Sequence, residues 1–122
     1  MKDYQSFYRY SIENPEAFWR EQADLIYWDK KFDQVLDYSN PPFARWYVGG
    51  KTNLCFNAVD RHLSNRKSQK GLVFISSETE EVREYSYQDL FDEVNSCARV
   101  LQEHGVKAGD RVIIYMPMVP EA

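Results

Sequence analysis

The sequence predicts a mixed α/β chain: an N-terminal arm of helix and extended segment with a small hairpin, then the first strands and helix of a larger α/β domain. Three observations carry this expectation. Residues 32–63, FDQVLDYSNPPFARWYVGGKTNLCFNAVDRHL, hold Pro41-Pro42, Gly49-Gly50 and Asn53 in succession, so extended chain, tight turn and helix must follow one another closely. Leu72–Ser76, Ser86–Gln102 and Arg111–Tyr115 read as strand, helix and strand, a crossover order that expects a parallel sheet with helices on its faces. Only about three sheet strands are legible, and a buried parallel strand left at an open edge is unfavourable. An incomplete fragment, the N-terminal piece of something longer, is therefore expected.

The elements follow in order. Met1–Ser11 carries Tyr4, Phe7, Tyr8 and Tyr10 and reads as a short helix or arm docking on a neighbour. Asn14-Pro15-Glu16 is a helix start, with Asn14 at the N-cap and Pro15 at the first helical position. The helix is expected to run to about Ile26, with Phe18, Gln22 and Leu25-Ile26 along one side. Tyr27-Trp28 ends it against the core, and Asp29-Lys30-Lys31 is a solvated turn. A residue before proline is pushed out of the α region, so Ser39–Phe43 is expected to be extended. Arg45–Val48 reads as a short strand, and Gly49-Gly50 as a hairpin turn whose residues tolerate φ > 0. Lys51–Asn53 would then be the return strand. Leu54, Ala58 and Leu63 recur at roughly helical spacing and predict a helix after it.

Ser64–Lys70, SNRKSQK, is polar and basic and is the candidate boundary, a solvated loop. Leu72–Ser76 and Val82–Tyr85 flank an acidic turn, Ser77–Glu81, and should pair as a hairpin. Ser86–Gln102 is the clearest helix. Ser86 caps it, Asp89 stands three later as in a capping box, and Tyr85 can staple onto Leu90. Leu90, Val94, Cys97 and Leu101 share one face. Gly105 closes the helix as a left-handed cap. Lys107–Asp110 is a turn, Arg111–Tyr115 a strand that Pro117 stops, and Pro120-Glu121-Ala122 the first turn of another helix.

Composition narrows the classes. Hydrophobic residues at 43% and aromatics at 16% argue for a globular chain over a disordered one. A net charge of −4 gives no electrostatic reason to expect nucleic acid or an anionic membrane as a partner. No apolar run approaches the ~20 residues of a membrane helix. Asp3, Glu13 and Glu16 stand where a secretory signal would need an apolar core. Cys55 and Cys97 make no disulfide framework, which fits a reducing compartment, and a cytoplasmic location is expected.

Residues that could carry chemistry each have a plainer reading. Gly50-Lys51-Thr52 resembles the tail of a phosphate-binding loop, but Arg45 stands where the motif needs its earlier glycine. Cys55 and His62 could share a helix face, yet zinc needs about four ligands at close spacing. Asp60 and His62, at i and i+2, point to different sides of a helix. His104 sits in the last helical turn, where a cation suits the dipole. Arg45 beside Trp46, and Arg61, read as structural ion-pair or cation–π partners. No catalytic, cofactor-binding or metal residue is assigned.

The run LDYSNPPFARWYVGGKTNLCFNAVDRHL, with FYRYSIENPEAFWREQA before it and GDRVIIYMPMVPEA after it, resembles the N-terminal region of short-chain acyl-CoA synthetases. These are adenylate-forming ligases that include acetyl-CoA synthetase. The PPFARWYVGGKTNLC segment resembles the propionate–CoA ligase branch in particular. The resemblance implies an acid–thiol ligase as parent, forming propionyl-CoA, AMP and pyrophosphate from propionate, ATP and CoA through an acyl-adenylate. It implies residues 1–64 as the acetyl-CoA-synthetase-type N-terminal region and 65–122 as the truncated start of the AMP-binding domain. It implies ATP, Mg²⁺ and CoA for the parent, with their sites downstream of Ala122, and no activity for these residues alone. The expected partner is the rest of the same polypeptide, met through Trp19, Trp28, Phe43, Trp46 and Tyr47, with a homo-oligomer when that partner is missing. The alternative is a free-standing, non-catalytic interaction module derived from that family.

Overall fold

The computed structural model describes residues 3–122, and the chain divides after Asn57 into two compact units. In the first unit, helix α1 (Tyr4–Glu13) is capped by Asp3, whose carboxylate accepts from the Ser6 N–H at 3.0 Å. Helix α2 (Pro15–Gln22) begins with the predicted proline. Asn14 holds the N-cap position of α2 but makes no side-chain cap bond. It is also the C-cap of α1, donating its N–H to the Tyr10 carbonyl at 3.0 Å. The α-helix stops at Gln22, and a 3-10 turn over Ala23–Leu25 replaces the last turn expected before Ile26.

The hairpin is not where the glycines suggest. Strand β1 (Gln34–Asn40) pairs antiparallel with β2 (Phe43–Val48), matching Gln34 with Val48, Leu36 with Trp46, Asp37 with Arg45 and Asn40 with Phe43. The turn is Pro41-Pro42. Proline offers no N–H to a ladder, so the pair is placed where the ladder has to stop. The predicted return strand Lys51–Asn53 does not pair with β2. Lys51 instead bridges to Lys30, with Lys51 N–H donating to the Lys30 carbonyl at 2.8 Å and Asp29 N–H to the Lys51 carbonyl at 2.8 Å.

Gly49-Gly50 still makes the turn out of β2. Gly49 has φ +80°, and Gly50 N–H donates to the Tyr47 carbonyl at 3.0 Å. A Cβ on Gly50 would lie 2.8 Å from the Trp28 ring and 3.2 Å from Phe32 Cβ, so only glycine lets the backbone approach the aromatic cluster this closely. Tyr47 adopts φ +51°, which is uncommon for a residue with a side chain.

The core of this unit is Ala23, Phe32 and Val35, with Trp28 and Tyr47 half-buried against it. Asn53 caps helix α3 (Leu54–Ala58) by accepting from the Phe56 N–H at 3.0 Å. The single helix expected from Leu54 to Leu63 is broken. Val59, 8% exposed, has φ −123° and ψ −67°. A 3-10 turn over Asp60–His62 and helix α4 (Leu63–Arg66) follow it. A β-branched residue loses χ1 freedom in a helix, and here its burial coincides with the break.

The second unit is a hairpin with one helix. Strands β3 (Lys70–Ile75) and β4 (Val82–Ser86) pair antiparallel, as expected, with a register shift between Lys70 and Leu72. Gly71 sits at that shift, where a Cβ would come 2.8 Å from Leu90 Cδ1 of the helix, α5 (Tyr87–Glu103). The capping box forms in full. Ser86 Oγ accepts from the Asp89 N–H at 3.2 Å, and Asp89 Oδ2 accepts from the Ser86 N–H at 2.8 Å. The helix ends as predicted at Gly105, φ +84°, with Gly105 N–H bonded to the Gln102 carbonyl and Val106 N–H to that of Leu101. The Ser64–Lys70 segment, expected as a loop, opens as part of α4 and closes as the first residue of β3.

Arg111–Tyr115 forms no strand, and no parallel sheet forms among the described residues. Its apolar side chains are bare, with Ile113 89% and Tyr115 98% exposed. A run apolar on both faces gains from strand geometry only between neighbours, and β3 and β4 have paired with each other. Pro120-Glu121-Ala122 makes a single hydrogen-bonded turn, with Ala122 N–H donating to the Val119 carbonyl at 3.0 Å.

Candidate functional site

In the first unit the aromatic side chains form a connected series. Phe7 meets Phe18 at 4.9 Å between ring centroids, Phe18 meets Trp19 at 5.1 Å, and Trp19 meets Trp46 at 6.0 Å. Tyr47 then joins Trp46 to Phe32 and Trp28. Edge and tilted geometries of this kind set the positive rim of one ring against the negative face of the next. Two polar ends are spent inside: Tyr47 Oη donates to the Trp19 carbonyl at 3.0 Å, and Trp28 Nε1 to that of Ala23 at 2.9 Å. Burial pushes the Tyr47 phenol above its ordinary value. Of the five aromatics expected at a contact surface, Trp28 and Tyr47 are thus committed to this unit's own core. Trp19, Phe43 and Trp46 remain exposed.

The sequence reading missed Asn57. Its Oδ1 accepts from the Tyr27 N–H at 2.8 Å, and its Nδ2 donates to the Tyr27 carbonyl at 3.1 Å and to Thr52 Oγ1 at 3.0 Å. Thr52 Oγ1 donates in turn to the same Tyr27 carbonyl at 2.6 Å. One amide thereby satisfies both backbone groups of Tyr27, extending the pairing that Lys30 and Lys51 begin. Asn53 and Asn57, one helical turn apart, were the available signal.

In the Gly50-Lys51-Thr52 triplet, Gly50 N–H bonds to the Tyr47 carbonyl, Lys51 N–H to that of Lys30 and Thr52 Oγ1 to that of Tyr27. Arg45, expected as a structural ion-pair or cation–π partner, forms an ion pair across the hairpin with Asp37. The Arg45 guanidinium lowers the Asp37 carboxyl to about 2, helped by the Ser39 hydroxyl and N–H. Cys55 and His62 fall in different compact units, on different helical segments. His62 packs against Tyr87 with its ring tilted, 5.1 Å between centroids. His104 Nδ1 lies 2.9 Å from the Val100 carbonyl, in the capping position expected of it. Among the described residues no group of three or more His, Cys, Asp or Glu could hold a metal ion.

In the second unit the charged centre is Arg83, also missed. Its Nη1 donates to Glu121 Oε1 at 2.6 Å and to Tyr85 Oη at 3.3 Å, and its guanidinium lies 4.8 Å from the centre of the Phe74 ring. Nε is 3.2 Å from Glu81 Oε1 but is not aligned to donate to it. No helix among the described residues is long and apolar enough to cross a membrane.

Comparison with known proteins places these two units in a family. Residues 4–58 match the family model described as the acetyl-coenzyme A synthetase N-terminus, and residues 60–122 match the model of AMP-binding enzymes. The chain belongs to the AMP-binding enzyme family. It is 52% identical over 119 residues to propionate–CoA ligase of Escherichia coli K12, covering 98% of this chain and 19% of that one. It is 44% identical over 120 residues to acetyl-coenzyme A synthetase of Deinococcus radiodurans, covering 98% and 18%. The fold matches acetoacetyl-CoA synthetase from Streptomyces lividans with a TM-score of 0.85 at 27% identity, covering 99% of this chain and 19% of that one. The chain thus spans about a fifth of the length of these AMP-binding relatives, and the resemblance to short-chain acyl-CoA synthetases is borne out.

Proposed function

We propose that this chain is the non-catalytic N-terminal portion of an ATP-dependent propionate–CoA ligase. The parent would convert propionate, ATP and CoA to propionyl-CoA, AMP and pyrophosphate, using Mg²⁺, in the cytoplasm. The observation that carries the reading is the 52% identity to propionate–CoA ligase, against 44% to an acetyl-coenzyme A synthetase, over nearly the same residues. Residues 1–64 would be the N-terminal region and 65–122 the start of the AMP-binding domain. Their role would be to brace the remainder of the polypeptide, which would cover Trp19, Phe43, Trp46 and the bare run 112–118. Support for a bracing role comes from where the polar groups go: Asn57, Tyr47, Trp28 and Arg45 all hold local structure.

The test is pyrophosphate release by the parent enzyme with propionate and with acetate. One methylene in an apolar pocket is worth about 1–3 kcal/mol, so propionate is expected to be favoured by roughly 10- to 200-fold in kcat/KM, with acetate still a substrate. A higher kcat/KM with acetate would sink the substrate assignment. Pyrophosphate release by the 122-residue chain alone, above a denatured control, would sink the bracing role.

A further inference from the structure

Between α5 and Glu121 the chain runs as a strap. Its near end is fixed by the turn in which Lys107 N–H donates to Asp110 Oδ2 at 2.7 Å. Its middle is bare: Val112, Ile113, Ile114, Tyr115, Met116 and Met118 are all more than half exposed, and residues 111–116 form no ladder. Its far end is different. Val119 and Pro120 are half-buried, and two backbone bonds close a turn there, Val119 N–H to the Pro117 carbonyl at 2.9 Å and Ala122 N–H to the Val119 carbonyl at 3.0 Å. Glu121 meets Arg83 of β4 from this turn, 38 residues away in sequence.

We propose that Arg83 is a latch that holds the far end of this strap on the β3–β4 hairpin. Arg83 is built for the task. Its guanidinium stacks on Phe74 of the neighbouring strand, Tyr85 accepts a second bond from the same Nη1, and Glu81 flanks Nε. Stacking and flanking groups hold the planar fork in place before Glu121 arrives, so less side-chain freedom is lost when the pair forms. Glu121 carries the opposite charge at the position the turn presents. The run 112–118 then leads from the Lys107–Asp110 turn to a far end held on the hairpin, with residues 111–116 in no ladder. Arg83 acts here as a positioning residue, through Glu121.

Amide hydrogen exchange on the full 122-residue chain tests it, read at Val119 and Ala122 by NMR. Glu121→Gln removes an exposed charge and leaves the hairpin intact. An exposed ion pair is worth ~0.2–1 kcal/mol, so exchange at these two amides should rise about 1.5- to 5-fold. Arg83→Gln should raise it equally, the double variant no further, and Arg83→Lys should restore part of the protection. Protection in β3, β4 and α5 should stay unchanged in Glu121→Gln. Unchanged exchange in Glu121→Gln, or effects of the two single variants that add in full, would overturn the latch.

Discussion

Asn57 does with one side chain what a neighbouring strand does with its backbone, accepting from and donating to Tyr27. Asn57→Ala removes those bonds together with the one to Thr52, and should destabilise the chain by about 1–3 kcal/mol, seen as a lower urea midpoint with unchanged slope. Asn57→Asp keeps the acceptor and loses the donor, so it should fall between wild type and alanine. A midpoint for Asn57→Ala equal to wild type would show the clasp to be incidental. Asp37 titrates at about 2 because Arg45 faces it across the hairpin. Its folded pKa lies below its unfolded one, so its contribution is present above the ordinary carboxylate range. That contribution is lost as pH falls from near 4 towards 2. Carboxyl NMR titration should find it there, and Arg45→Gln should move it up towards an ordinary aspartate. An unmoved Asp37 would remove the ion pair as the cause. Neither role was legible in the sequence. The spacing of Asn53 and Asn57 marks a helical turn but does not name Tyr27 as the partner, and the partner of Arg45 emerges only once β1 is known to lie opposite β2.

The legible elements are those whose signals are local. α5 could be read from end to end because cap, apolar face and terminal glycine lie within its own sequence and agree. Ser86→Ala should therefore cost about 0.5–2 kcal/mol, read from the thermal or urea transition of the second unit. A loss within error would mean that packing of α5 on the hairpin alone fixes the helix start. The first hairpin was misplaced for the opposite reason. β1 contains Gln34, Asp37, Ser39 and Asn40, poor strand formers whose pairing is settled by Val35 entering the core and Arg45 facing Asp37. Ser39–Phe43 was expected to be extended and holds the turn at Pro41-Pro42, while the glycines looked like the turn and are an exit bend beside Trp28. The break falls at Val59, which is buried, although the spacing of Leu54, Ala58 and Leu63 is helical on paper. The Arg111–Tyr115 strand was read from composition, which records what a segment suits and not whether a neighbour is there.

At the scale of the whole molecule the dominant fact is uncovered apolar surface. Val94 and Leu101 on α5, Ile75 on β3, and most of 112–118 face solvent, as do Trp19, Phe43 and Trp46 in the first unit. Monomers rarely expose apolar patches beyond a few hundred Å². The chain on its own is therefore expected to associate at micromolar concentration, with Trp46→Ala weakening association more than substitution of exposed Lys67. Light scattering coupled to gel filtration reads this directly, and a monomer mass throughout would contradict it. In the proposed parent the same surface would be covered from within the polypeptide, which in the relatives is about five times longer. Hydrogen exchange of Val112–Met116, compared between the 122-residue chain and the parent enzyme, measures that coverage most directly. The bracing account predicts near-unprotected amides in the chain and at least about a hundredfold protection in the parent, as for strands of a core. Equal, fast exchange in both would contradict it.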